Sequence, residues 1–162
     1  MQVAVSLGGN LPQTLTAFRQ VRQLLNAQLT KVRFSSLYRT SPQDDPEQPD
    51  FWNAVALGDW SGSPDELLTL LLDWEKQLGR VRNPARPKGP RVLDLDLLLC
   101  DNLLLATERL WVPHPRMAQR AFVLIPLLEL VPHIVDPRSG TPWSVALAHL
   151  GDQGVVMAEK TW

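Results

Sequence analysis

The hydrophobic period of this chain switches between two residues and 3.6 in the order strand, helix, strand, strand, helix, strand, and few folds accept that order. Val3, Val5 and Leu7 alternate with Gln2, Ala4 and Ser6 and predict a strand, ended by a flexible turn at Gly8-Gly9-Asn10. Pro12 then suits a first helical turn, and Leu15, Phe18, Val21 and Leu25 supply an apolar stripe. Val32 to Thr40 and Phe51 to Asp59 predict a second and a third strand, joined by a polar, proline-rich loop over residues 41–50. Ser63-Pro64-Asp65-Glu66 combines an N-cap serine, a proline at the first helical position and a glutamate three residues after the serine, so a helix starts there. Leu67, Leu70, Leu71, Trp74 and Leu78 form its stripe, Gly79 ends it, and Val92 to Cys100 is the fourth strand.

This order matches a split βαβ plan, an α+β fold of ferredoxin type: a mostly antiparallel sheet with helices covering one face. Additional C-terminal elements follow. They are a short partner strand over 103–106, a helix over 116–130 kinked near Pro126, a short helix over 143–150 and a last strand over 155–157. No repeat or linker divides the chain, so residues 1–162 read as one domain.

A formal net charge of −1 argues against a dedicated nucleic-acid binder, which needs a basic excess. Cys100 stands alone in an apolar run and reads as a small buried hydrophobe of a reducing compartment. No apolar stretch approaches the roughly 20 residues that span a bilayer. The expectation is a cytoplasmic, monomeric protein with small-molecule partners, no nucleic acid and no membrane.

The chemistry concentrates between Arg80 and Asp96. The loop from Arg80 to Arg91 holds Arg80, Arg82, Arg86, Lys88 and Arg91 and no acid, stiffened by Pro84, Pro87 and Pro90. Guanidinium forks donate bidentate, charge-assisted bonds to phosphate oxygens; the plainer reading is a solvated basic loop. The loop runs into Asp94 and Asp96, two apart on one strand face and so roughly 6.6 Å apart. Two carboxylates so placed repel unless a cation lies near both, and oxygen ligands of this kind suit Mg²⁺ shared with phosphate. The plainer alternative is an exposed sheet face carrying two solvated acids. Together the segments describe a metal–polyphosphate site, in which positioning and charge carry phosphoryl transfer. Gly8-Gly9-Asn10-Leu11 lacks the Gly-Lys-Ser/Thr ending of a Walker loop.

On these residues a resemblance can be stated. Gly8-Gly9-Asn10-Leu11, Tyr38-Arg39-Thr40-Ser41-Pro42, Gln48-Pro49-Asp50-Phe51-Trp52-Asn53, Gly79-Arg80-Val81-Arg82, Gly89-Pro90-Arg91-Val92-Leu93-Asp94-Leu95-Asp96, Val112-Pro113-His114 and Arg120-Ala121-Phe122 occur in this order. Over roughly residues 2 to 137 the chain resembles the 6-hydroxymethyl-7,8-dihydropterin pyrophosphokinases of folate biosynthesis. The resemblance implies that Asp94 and Asp96 bind two Mg²⁺ ions and that Arg80 and Arg91 grip the transferred phosphates of ATP. It further implies nucleotide binding by Arg82, Leu97, Arg109, His114 and Arg120. The pterin would lie between Phe51 and Phe122, hydrogen-bonded by Asn53 and framed by the backbone from Thr40 through Pro42 to Gln43. The loops over 41–50 and 80–91 would close over both substrates.

The chain departs from the family pattern at four positions. Gly9 replaces a small polar residue, a change expected to loosen the turn. Leu72 replaces a polar residue, Lys88 an aromatic one and Pro115 a tyrosine, and the 80–91 loop is one residue longer. Three other readings stay open: a slow or degenerate second copy, an RNA-binding module on the same plan, and a regulatory domain with a structural Asp pair.

Overall fold

The computed structural model describes residues 1–42 and 45–162. The main sheet runs β5 (Asp94–Cys100), β1 (Gln2–Gly9), β4 (Phe51–Asp59), β3 (Leu37–Thr40), β8 (Val156–Glu159), with β2 (Thr30–Phe34) also paired to β4. Every neighbouring pair is antiparallel. The strands joined through α1 (Thr14–Gln28) and through α2 (Pro64–Gln77) are each separated by one strand, which is the split βαβ plan. The capping box at Ser63 forms as the sequence predicts: Glu66 N–H donates to the Ser63 hydroxyl and Ser63 N–H to the Glu66 carboxylate.

Helices cover both faces, not one. Phe18, Val21 and Leu25 of α1 and Leu67, Leu71 and Trp74 of α2 bury Val3, Val5, Leu7, Ala54, Ala56, Leu95 and Leu97. On the opposite face α3 (Ala121–Leu130) and α4 (Trp143–His149) bury Ala4, Val55, Leu57, Leu98 and Leu99. Strands this apolar on both sides need cover on both sides. A bulge helps. Val5 pairs with Leu97 but Ala4 with Leu99, so the extra Leu98 moves Leu99 to the α3 side while Leu93, Leu95 and Leu97 stay on the α2 side.

Other local readings change. The second strand breaks at Ser35–Ser36, where the Ser35 hydroxyl donates to the Ser36 carbonyl and accepts from Val55 N–H. Side-chain bonding of this kind competes with the ladder and splits the run into β2 and β3. The C-terminal helix is interrupted at Arg120, between a 3₁₀ turn (Met117–Gln119) and α3; Pro126 lies buried within α3. Leu105–Ala106 (β6) pairs with an unforeseen β7 (Trp111–Val112), outside the main sheet. Glu129 anchors α3 to β3, accepting from Ser36 N–H and hydroxyl and from Tyr38 Oη at 2.8 Å.

Gly9 is not a loosened turn. It belongs to β1, opposite Trp52, and a Cβ there would sit 2.3 Å from the Val92 carbonyl and 2.7 Å from Thr14 Oγ1. Only glycine lets the backbone following the basic loop approach this strand.

Candidate functional site

The α3 face of the sheet is bare at one end, and a cleft of about 690 Å³ opens there. Its floor follows from strand register. Asp94 pairs with Gly8 and Asp96 with Ser6, so the small residues of β1 lie beside the two carboxylates. Gly8 pairs on its other side with Asn53, whose amide donates to Thr40 Oγ1 at 2.9 Å. Thr40, Phe51, Asn53, Arg80, Arg82, Arg91, Asp94, Asp96, Leu97, Arg109, His114, Arg120 and Phe122 all line this one cleft. Of the candidates drawn from the sequence, Pro42 is not among its lining residues, and Gln43 lies outside the described residues.

Charge is organised around the two strand acids. Arg80 Nη1 contacts Asp94 Oδ1 and also Glu75 Oε1. Arg91 Nε lies 3.2 Å from Asp94 Oδ2, yet it is buried without an aligned hydrogen bond. Arg120 Nη1 stands 3.5 Å and His114 Nε2 3.9 Å from Asp96 Oδ2. Burial, then the neighbouring Asp94 charge, pushes the Asp96 carboxyl above its ordinary range, against the pull of His114 and Arg120. Burial likewise lowers His114. His114 Nδ1 accepts from Arg116 N–H at 3.2 Å, so the neutral ring carries its proton on Nε2, toward Asp96.

Two supports escaped sequence reasoning. Glu75 is only 2 % exposed, on the buried side of α2 near Leu71 and Trp74; it accepts from Leu95 N–H at 2.7 Å and holds Arg80. Burial raises its carboxyl, and the Leu95 amide and Arg80 oppose that shift. An acid beside a helix's core stripe was the available signal. Asn10 is the second. Its Oδ1 accepts from Arg91 N–H, and its amide nitrogen donates to Gln48 Oε1 and the Pro49 carbonyl. One buried amide thus ties the 41–50 and 80–91 loops together. Arg86 to Asp45 and Gln48 to the Lys88 carbonyl add further bonds between these loops.

The aromatic residues stand in the same cleft. Arg91 lies 4.9 Å above the Phe51 ring and Arg120 5.6 Å above Phe122. Two rings beside an amide suit a flat heterocycle with a polar edge, and the adjoining acids and guanidiniums suit a phosphorylated ligand. Among the described residues no group of three or more His, Cys, Asp and Glu side chains forms a cage for a metal ion, and no helix is long and apolar enough to cross a membrane.

The fold and this cleft define a small-molecule phosphate-transfer class of protein, and comparison with known proteins agrees. A family model described as 7,8-dihydro-6-hydroxymethylpterin-pyrophosphokinase (HPPK) matches residues 4–132. A 2-amino-4-hydroxy-6-hydroxymethyldihydropteridine pyrophosphokinase of Synechocystis sp. is 44% identical over 138 residues, covering 84% of this chain and 69% of that protein. A mitochondrial folate synthesis bifunctional protein of Arabidopsis thaliana is 34% identical over 151 residues, and there the chain spans only 27% of the relative's length. A solved Plasmodium falciparum HPPK-DHPS chain shares the fold with a TM-score of 0.72 at 11% identity, covering 91% of this chain and 43% of that one. The chain belongs to the 7,8-dihydro-6-hydroxymethylpterin-pyrophosphokinase family and has its pyrophosphokinase role in folate biosynthesis.

Proposed function

We propose that the cleft transfers the terminal diphosphate of ATP to the hydroxymethyl group of 6-hydroxymethyl-7,8-dihydropterin, with Mg²⁺ held by Asp94 and Asp96. The observation that carries this reading is the shared position of the two strand carboxylates and four basic side chains, Arg80, Arg91, His114 and Arg120, on one cleft floor. The donor set fits Mg²⁺. It offers two hard oxygen ligands on one strand face, and Asp96, raised first by burial and then by the adjacent Asp94 charge, is a carboxyl whose ionised form a cation would favour. Among the described residues no third acid joins the cluster, so the remaining ligands would be phosphate oxygens and water. When bound, Mg²⁺ supplies charge that neutralises and aligns the polyphosphate.

The protein's own residues do the rest. Phe51 and Phe122 hold the pterin ring, and Asn53, fixed by Thr40, bonds its polar edge. The hydroxymethyl oxygen forms a bond to the β-phosphorus, and the bond from that phosphorus to the bridging oxygen breaks. The electron pair leaves on AMP, whose phosphate takes up the hydroxyl proton. Arg80 and Arg91 exchange Asp94 for phosphate oxygens and stabilise the charge that develops on them. Arg82, Arg109, His114 and Arg120 orient the nucleotide, with Leu97 beneath it. The paired loops exclude water. The protein acts as a monomer in the cytoplasm.

The direct test mixes protein, Mg²⁺, ATP and the hydroxymethyl dihydropterin and follows AMP. AMP and the pterin diphosphate should appear together in equal amounts. ADP in place of AMP, or no turnover, refutes the reading.

A further inference from the structure

Arg120 is the N-cap of α3, yet its side chain makes no capping hydrogen bond. An N-cap is usually a short Ser, Thr, Asp or Asn whose oxygen accepts from the free amides of the first turn. Here the position is held by an arginine whose guanidinium goes into the cleft, 3.5 Å from Asp96 Oδ2. Arg120 is also the break between the 3₁₀ turn and α3, with an extended backbone at φ −122° and ψ 98°. A break of this kind leaves backbone groups on both sides in need of partners.

Gln153 supplies them from outside. Its Oε1 accepts from Ala121 N–H at 2.9 Å, and its Nε2 donates to the Gln119 carbonyl at 3.2 Å. One side-chain amide thus spans Arg120 and bonds the peptide groups on either side of it, as a neighbouring strand would. The turn that carries Gln153 is itself fixed. Gly151 and Gly154 flank it at φ 67° and 69°, and Asp152 Oδ1 accepts from Gly154 N–H at 2.8 Å. α4 precedes the turn and packs in the core of that face; β8 follows it and pairs with β3.

We infer that Gln153 is a positioning residue for the reaction: it locks the backbone at Arg120 and so aims the guanidinium at the bound nucleotide. The inference rests on the nucleotide role of Arg120 given under the proposed function. Without the clamp the backbone at Arg120 is free to turn, and the guanidinium leaves its place beside Asp96. Phe122 depends on the clamp less, since Val123 N–H and Leu124 N–H both donate to the Arg120 carbonyl and hold the first turn of α3.

The test is steady-state kinetics of Gln153→Ala, Gln153→Met and Gln153→Glu, with a double-mutant cycle against Arg120. Gln153→Ala should raise KM for ATP on the order of ten-fold, about the worth of one lost charge-assisted hydrogen bond, and KM for the pterin less. Gln153→Met keeps the volume and loses both bonds, so it should match Gln153→Ala. Gln153→Glu keeps the acceptor for Ala121 N–H and should fall between Gln153→Ala and wild type. Added to Arg120→Ala, Gln153→Ala should cost no more than about two-fold further in kcat/KM for ATP. Added to Arg82→Ala, which removes a cleft side chain of the 80–91 loop, it should cost its full effect. An unchanged KM for ATP in Gln153→Ala overturns the inference. So do losses that multiply with Arg120→Ala as they do with Arg82→Ala, or global unfolding of all three Gln153 variants, either of which marks a structural residue. A normal KM for ATP in Arg120→Ala, or no AMP from wild type, refutes the proposed function on its own terms and takes this inference with it.

Discussion

Asn53 and Asp94 stand on one cross-strand line with only Gly8 between them. A Cβ on Gly8 would meet Asn53 Oδ1 and the Asp94 Cβ at 3.8 Å each, an ordinary contact. The glycine is therefore not required by packing, in contrast to Gly9. What it keeps open is the floor between the amide and the acid. Gly8→Val should fold with stability within about 1 kcal/mol of wild type. Its turnover should fall on the order of 10²-fold, because the branched side chain displaces substrate from the acids. Denaturant unfolding and AMP release measure the two; a Gly8→Val protein of normal activity would mean the substrate does not cross this line.

The strand acids are predicted to be needed for chemistry and not for folding. Asp94→Asn or Asp96→Asn removes one carboxylate of the proposed Mg²⁺ site and should lower kcat on the order of 10²–10³-fold. The far-ultraviolet circular dichroism should be unchanged. Near-normal turnover of either variant at saturating Mg²⁺ would remove the metal assignment.

Glu75 and Arg80 share an ion pair but should differ in what they control. Glu75→Ala strands the buried Leu95 amide and leaves Arg80 paired with Asp94 alone, and should destabilise the fold by about 1–3 kcal/mol. Glu75→Gln keeps an acceptor for Leu95 and should lose clearly less. Arg80→Ala should instead lower the rate of the chemical step more than it weakens pterin binding. Single-turnover rates beside a pterin binding titration separate these; equal losses in both would leave Arg80 a structural residue.

Cys100 is buried, and that burial pushes its thiol up to about 12. In the unfolded chain the thiol ionises near its ordinary value of about 8.5. A raised folded value means that the thiol's contribution is full below about 8.5. It is lost progressively as pH climbs from there toward 12. Stability should fall with alkaline pH over that window, and Cys100→Ala should flatten the slope. The native thiol should resist a disulfide reagent at pH 8 and react only on unfolding; rapid reaction in the folded protein would contradict its burial.

Sequence reasoning reached the strand carrying Asp94 and Asp96 because period-two alternation fixes which side chains share a face. It reached the Ser63 helix start because caps are local. It reached the basic loop because charge and proline are visible without a fold. The residues of the cleft came from motif resemblance, and their convergence on one floor depended on pairing between strands far apart in sequence. Asn10 and Glu75 could not be read the same way. Their partners, Gln48, Pro49, Arg91 and Leu95, lie between 20 and 81 residues away.

What the linear chain decided by itself was local: element types, helix starts and the charge of one loop, since these follow from spacing and side-chain chemistry over a few residues. The tertiary structure alone decided the bulge that turns Leu99 to the other face, the strand break at Ser35–Ser36, the helix break at Arg120 and the close approach that demands Gly9. Each depends on what a distant segment places against it, and burial, register and shared hydrogen bonds exist only once those segments meet.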